Sequence, residues 1–303
     1  VATNTPRAVF VTRETDYERL LAHHATRDQV RFFLKTRGQS MEDVGARHER
    51  FYQVLKDVRA VVPPDWRSTL VHRTDLDRFL FAPDDVVVAV GQDGLVANVA
   101  KYLDGQPVLG VNPDPTRYDG ILVPVAPDRV ARLLPSAAQG DVALQRRTMV
   151  EALLDDGQKL LGLNEIFVGH RSHQSARYDI EVAGQHEFQS SSGLIVSSGT
   201  GTTGWAHSLM DAMHVDLSLK PDENALAFFV REAFSSVATG TSIRAGKIDN
   251  SNPIRITSRM NDGGVIFADG IEHDFLGFDW GRVTQVSTSS RHLNLVMPDS
   301  PKR

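Results

Sequence analysis

The chain has 303 residues, of which 41% are hydrophobic and 23% charged, with a formal net charge of -5 at pH 7. That length holds one large domain or two of ordinary size, the acidic balance offers no basic footprint for nucleic acid, and no apolar run is as long as a membrane span. Cysteine is absent, which excludes disulfides, thiolate zinc sites and cysteine nucleophiles.

The amino end, Val1-Ala2-Thr3-Asn4-Thr5-Pro6, lacks the basic and apolar organisation of a signal segment, so a cytoplasmic setting is expected. Arg7 to Arg13 reads as a first strand, and Asp16 to Leu21 opens a helix with an acidic first turn. From Met41 to Val62 the apolar positions Val44, Phe51, Val54, Leu55 and Val58 fall at helical spacing, and Pro63-Pro64 ends that helix. Ser68 to His72 reads as a strand and Asp75 to Leu80 as a short helix. Val86-Val87-Val88-Ala89-Val90 is short, β-branched and bounded by turn residues, the pattern of a strand covered on both faces of a parallel sheet. It runs into Gly91-Gln92-Asp93-Gly94, and Leu95, Val96, Val99 and Leu103 then share a helical face. Pro107 to Asn112 supplies another strand, closed by Pro113-Asp114-Pro115.

After Pro127 the character changes. Asp128 to Leu134 reads as a linking helix, and long strands follow, with hairpin signals at Asp155-Asp156-Gly157, Ala183-Gly184-Gln185 and Asn261-Asp262-Gly263-Gly264. The expected architecture is an α/β amino-terminal domain with an open, mostly parallel sheet over residues 1–127. An all-β carboxy-terminal domain over 128–303 follows, its last segment returning to the first domain.

Asp93 is the most constrained polar residue. An aspartate between glycines after a buried strand either caps the next helix or accepts a proton from a substrate hydroxyl while neighbouring N–H groups hold phosphate. Gly199, Gly201 and Gly204 spell G-x-G-x-x-G, but the stretch lies among antiparallel strands and lacks the βαβ context of a dinucleotide fold. What remains is a Gly/Thr-rich loop at a helix start, suited to phosphate or another polar group. Gly240 to Lys247 has one residue too many for a phosphate-binding P-loop. His23-His24 and His170 to His173 read as surface histidines, with no metal site expected. Asn164-Glu165, a polar pair in an apolar strand, marks either a solvated edge or a ligand contact. Ala268-Asp269-Gly270 by itself reads as a turn.

In this order the pieces resemble the NAD kinase family, within the superfamily that includes diacylglycerol kinases. Gly91-Gln92-Asp93-Gly94 is similar to its Gly-Gly-Asp-Gly, Pro107 to Asn112 to the strand and turn that follow, Asn164-Glu165 to its Asn-Glu pair, and Asp269-Gly270 to its later Asp-Gly. The run from Gly199 to Trp205 stands where the family has Thr-Pro-Thr-Gly-Ser-Thr-Ala-Tyr, and the similarity extends from about Asp84 to Met297. Asn112-Pro113-Asp114-Pro115 and Ser191-Ser192-Gly193 resemble the mitochondrial branch.

The resemblance implies a two-domain kinase that moves the terminal phosphoryl group of ATP, with Mg2+, to the 2′-hydroxyl of the adenosine ribose of NAD. Asp93 would orient or deprotonate that hydroxyl. Gly91, Gln92, Gly94, Thr200, Gly201 and Thr202 would hold ATP phosphates; Asn112, Asn164, Glu165, Thr203, Trp205 and Asp269 would hold the acceptor. A homodimer or homotetramer is implied as well. At position 92 a side chain replaces glycine, which costs on the order of 1–2 kcal/mol if φ there is positive. That departure leaves two alternatives, a kinase of another nucleotide or nucleoside hydroxyl, and a catalytically silent NAD(H)-binding sensor.

Overall fold

The β-branched run before Gly91 forms a strand that is buried along its whole length, Asp85–Val90. In the computed structural model, which describes residues 5–24, 26–117 and 120–298, the chain divides into two units. The first comprises Val1–Leu144 with Asn294–Arg303, the second Gln145–Leu293.

In the first unit β1 (Arg7–Thr12), β2 (Arg67–His72), β3 (Asp85–Val90) and β4 (Pro107–Val111) form a parallel sheet in the order β2-β1-β3-β4. Asn294 and Leu295, near the end of the final strand, pair parallel with Pro107 and Val108. Helices α1 (Asp16–His24), α2 (Arg27–Lys35) and α3 (Met41–Ala60) follow β1, α4 (Asp93–Ala100) follows β3 and α5 (Val130–Gln139) follows β4. The α3 helix starts at Ser40, whose hydroxyl accepts from the amides of Glu42 and Asp43. Its Leu55 and Val58 pack with Val130, Leu133 and Leu134 of α5 against Phe10, Val88 and Leu109 of the sheet. The boundary between units therefore lies after α5, at 144 and not at 127, because the apolar face of α5 is part of the first core. Where a short helix was expected from Asp75 there is a single 3-10 turn, Arg73–Asp75. At the start of β3, Asp85 is buried and accepts from Arg7 Nε at 2.8 Å and Nη2 at 2.6 Å.

Gly110 in β4 determines what lies beside the sheet. A Cβ there would stand 1.9 Å from the carbonyl oxygen of Leu122, so only glycine lets the 121–125 segment run against the strand. Val125 N donates to Gly110 O at 2.9 Å, and Asn112 N to Val125 O at 3.2 Å.

The second unit contains β5 (Leu144–Leu154), β6 (Lys159–Gly162), β7 (Glu165–His170), β8 (Ala176–Val182), β9 (Gln185–Ser191), β10 (Leu194–Ser197), α6 (Trp205–Met213), β11 (Leu226–Val230), β12 (Ala245–Ile248), β13 (Ile254–Ser258), β14 (Gly264–Ala268), β15 (Phe275–Gly277) and β16 (Val283–Val296). One antiparallel sheet runs β16-β13-β8-β9, with β5 joining β16 and β6; the other runs β12-β11-β10-β7-β14-β15. Ile166, Val168, Val196 and Ile266 from one sheet meet Tyr178, Ile180, Ile256 and Val286 from the other in a common core.

Two of the three expected hairpins form. Gly157 at φ +86° closes β5–β6, and Ala183 and Gly184, both at positive φ, close β8–β9. The Asn261 to Gly264 turn does not make a hairpin: β13 pairs with β8 and β16, whereas β14 pairs with β7 and β15 in the other sheet. The residues encode a tight reversal, and burial of β14 beside β7 selects the partner.

Candidate functional site

Gly91 and Gln92 carry the chain out of β3, and Asp93 is the first residue of α4. Gln92 has φ -106° and ψ 168°, an extended conformation open to any residue, so the side chain costs no backbone strain. Its Oε1 instead accepts a hydrogen bond from Arg13 Nη2 at 2.5 Å. The helix-cap reading of Asp93 fails: no side chain caps α4. The carboxylate reaches across the sheet end and accepts from Leu122 N at 2.8 Å and Ile121 N at 3.1 Å. Those amides are available because Gly110 admits their segment, so a glycine in the neighbouring strand orients the aspartate. Asn112 is buried; its Oδ1 accepts from Asp114 N at 3.0 Å.

In the second unit Asp269 plays a parallel part. At φ +53° it turns its carboxylate onto three successive amides, Leu163 at 2.9 Å, Asn164 at 2.7 Å and Glu165 at 3.3 Å. Its own N–H donates to Glu165 O at 3.1 Å. More than a turn residue, Asp269 holds the Asn164-Glu165 pair in place. Glu165 is 9% exposed. Burial, reinforced by the nearby charge of Asp269, pushes its carboxyl up to about 8. At neutral pH Glu165 is therefore protonated and able to donate as well as accept a hydrogen bond.

The Gly/Thr loop packs on that same pair. Ser198 N and Ser197 Oγ donate to Asn164 O at 2.9 and 3.2 Å, and Ser198 Oγ donates to Leu163 O. A Cβ at Gly201 would lie 2.2 Å from Asn164 O, and one at Gly199 2.0 Å from Lys220 O. These two glycines thus permit close approach of protein backbone, which explains a dinucleotide-like spacing outside a dinucleotide fold. Thr202 Oγ1 donates to Gly199 O at 2.7 Å and Thr203 Oγ1 to Thr200 O at 3.0 Å, so both hydroxyl hydrogens are used within the loop. Arg147, almost fully buried, donates to Thr200 Oγ1 at 3.3 Å.

Trp205 opens α6, lies parallel to Phe167 at 6.2 Å and carries the Arg231 guanidinium at 5.3 Å from its ring centroid. Phe167 stacks on Phe267 at 4.7 Å, the two being register partners on β7 and β14. Together with His170 and Arg231 they line a pocket of about 500 Å³ in the second unit. Of its walls only Trp205 was expected. His170 and His173, expected at the surface, both border the pocket. Phe167 and Phe267 sit mid-strand, where alternation marks a face but does not say what covers it. Among the described residues no group of three or more His, Asp or Glu side chains could hold a metal ion.

No known family profile matches the chain. Among curated proteins it is 25% identical over 219 residues to the NAD kinase of Chlorobaculum tepidum, covering 70% of this chain and 71% of that one. It is 30% identical over 178 residues to the NAD kinase of Psychrobacter arcticus, covering 53% and 54%. To the mitochondrial NAD kinase 2 of Rattus norvegicus it is 27% identical over 262 residues, covering 67% and 60%. The chain thus spans less than two thirds of the latter two relatives. Two solved structures share its fold at 17% identity. One is yeast NADH kinase complexed with NADH (TM-score 0.59, covering 98% of this chain and 84% of that one). The other is an NAD kinase from Archaeoglobus fulgidus in complex with ATP (TM-score 0.60, covering 97% and 94%).

Proposed function

We propose that this chain, which is similar to curated NAD kinases at 25–30% identity, transfers the terminal phosphoryl group of ATP to the adenosine ribose 2′-hydroxyl of NAD, giving NADP. The observation that carries the reading is the fixed Asp93 carboxylate at the carboxyl end of a parallel sheet, where α/β folds place ligands. A carboxylate has about four acceptor positions, and the amides of Ile121 and Leu122 take two. The remaining lone pairs can accept the ribose hydroxyl hydrogen and orient its oxygen toward phosphorus. Positioning of this kind supplies much of the catalysis in phosphoryl transfer.

Gln92 and Gly94 flank the uncapped start of α4 and would present backbone N–H groups to phosphate, while the Gly91 N–H donates to Val111 O at 3.0 Å and fixes the turn beneath them. Mg2+ would enter on the phosphates of ATP, neutralising charge there, since the described side chains form no three-residue cage. Asn164 and protonated Glu165 would read the adenosine, and Trp205 would stack on a ring of the acceptor. Asp269 and Asn112 would act by shaping, because their carboxylate and amide oxygens already hold backbone amides. Thr200, Gly201, Thr202 and Thr203 would form the rigid wall beside Asn164. The family resemblance alone supports a homodimer or homotetramer.

The extended backbone at Gln92 removes the strain that favoured a silent sensor. The test is NADP formation from ATP, NAD and Mg2+, comparing the parent with Asp93→Asn. A general base contributes about 10²–10⁴-fold, and a loss of kcat in that range at unchanged thermal midpoint is expected. Equal rates for the two proteins refute the assignment of Asp93.

A further inference from the structure

The aromatic pocket of the second unit is built on glycines. Phe167 lies flat on the sheet because Gly169 and Gly193 have no side chains: a Cβ at either would stand 2.5 Å from its ring. Gly193 N donates to Ser191 Oγ at 3.0 Å, and that oxygen lies 2.7 Å from Tyr178 Oη, so the floor is held from the core beneath it. Glu165 and Phe167 share one face of β7, since Ile166 and Val168 belong to the core between the sheets. A ligand held at Glu165 therefore continues onto this floor.

The walls select the ring that lies there. Trp205 already carries a cation, the Arg231 guanidinium 5.3 Å from its ring centroid. The Gly193 turn fixes Arg231 in place: Arg231 N donates to Gly193 O at 2.9 Å, and Arg231 O accepts from Ser192 N at 2.8 Å. A second arginine of the wall, Arg171, has no carboxylate within ion-pair distance among the described residues, and the wall has a single carboxylate, Glu272. Glu232 lies 3.7 Å from Arg231 Nη2, but its side chain is 65% exposed and offsets little of that charge. An open tryptophan face attracts a cationic ring; this one opposes it with like charge. His170 adds a second condition. Its Nδ1 accepts from Ser172 N at 3.1 Å, which leaves the ring hydrogen on Nε2, and Nε2 has no acceptor among the described residues. A carboxamide oxygen suits that donor, and adenine carries no carbonyl oxygen. The nicotinamide ring has the carboxamide, and it is a cation in NAD and neutral in NADH.

We infer that Arg231 and His170 are specificity-determining residues that make NADH, in preference to NAD, the acceptor, so that the main product is NADPH. The dihydronicotinamide stacks on Phe167 beside Trp205, and its carboxamide oxygen accepts from His170 Nε2. The inference rests on the kinase reading and adds the redox state of its substrate.

Calorimetry of the full chain with NADH, NAD and ADP-ribose, which lacks the nicotinamide, is run on the parent, Arg231→Gln, Arg231→Lys and His170→Phe, with kcat/KM for both dinucleotides alongside. The parent binds NADH about tenfold or more tighter than NAD. Arg231→Gln narrows that ratio by tightening NAD, Arg231→Lys keeps it, and ADP-ribose affinity is the same in all four proteins. His170→Phe weakens NADH about fivefold. Equal affinity of the parent for NADH and NAD, a ratio untouched by Arg231→Gln, NADH affinity untouched by His170→Phe, or ADP-ribose bound as tightly as NADH overturns the inference. Phosphorylation of both dinucleotides by the parent with equal kcat/KM overturns the selectivity and leaves the kinase reading intact. Selective binding of NADH with phosphorylation of neither dinucleotide does the reverse.

Discussion

Replacing Glu165 by glutamine changes how stability depends on pH. The carboxyl is buried beside Asp269, and its pKa rises from 4.5 to about 8 on folding. Between those values the folded state holds a proton that the unfolded chain has released, so stability falls as pH rises through the window and levels off above about pH 8. Each unit is worth about 1.36 kcal/mol. With the unfolded chain already partly ionised at pH 5, the loss between pH 5 and pH 8 is about 3–4 kcal/mol. Glu165→Gln keeps the shape and the donor but cannot ionise, so this component vanishes. Urea unfolding of parent and variant at pH 5, 6.5 and 8, followed by tryptophan fluorescence, isolates it, because every other titrating group cancels in the difference. The variant gains on the parent steadily as pH rises. Parallel pH profiles, or a gap that narrows toward pH 8, refute the raised pKa. The same group predicts an acceptor KM that climbs above about pH 8 in the parent and stays flat in Glu165→Gln.

Asp85→Ala strands Arg7 and the Ala82 amide, which donates to Asp85 Oδ2 at 2.7 Å. Breaking a buried ion pair from one side costs about 3 kcal/mol or more, which equilibrium unfolding of the first unit measures. Gly110→Ala places a Cβ 1.9 Å from Leu122 O and forces the 121–125 segment away from β4. The amides that hold Asp93 move with it, so kcat falls at least tenfold alongside a loss of about 1–3 kcal/mol in stability. Parent-like kcat in Gly110→Ala would show that Asp93 does not depend on those amides.

Much of the first unit was legible because its signals are local. The run from Val86 to Val90 reads as a buried strand, the spacing from Val44 to Val58 reads as a helix with one apolar face, and the structure has both. The motif residues were legible too, but their reasons were not. Gly199 and Gly201 looked like room for a ligand; they are room for Lys220 and Asn164 carbonyls. Asp269 looked like an end of the acceptor site and organises Asn164 and Glu165 from more than a hundred residues away in the chain.

The sequence by itself determined most of the strands and helices and the turn residues, because propensity and periodicity act over a few residues, and it carried the polar motifs that resemble those of NAD kinases. Only the tertiary structure decided that Asp93 binds the Ile121 and Leu122 amides, that Gln92 holds Arg13, and that Glu165 keeps a proton. Each of these depends on a close approach between distant segments. Such approaches are governed by packing and burial, which no local pattern records.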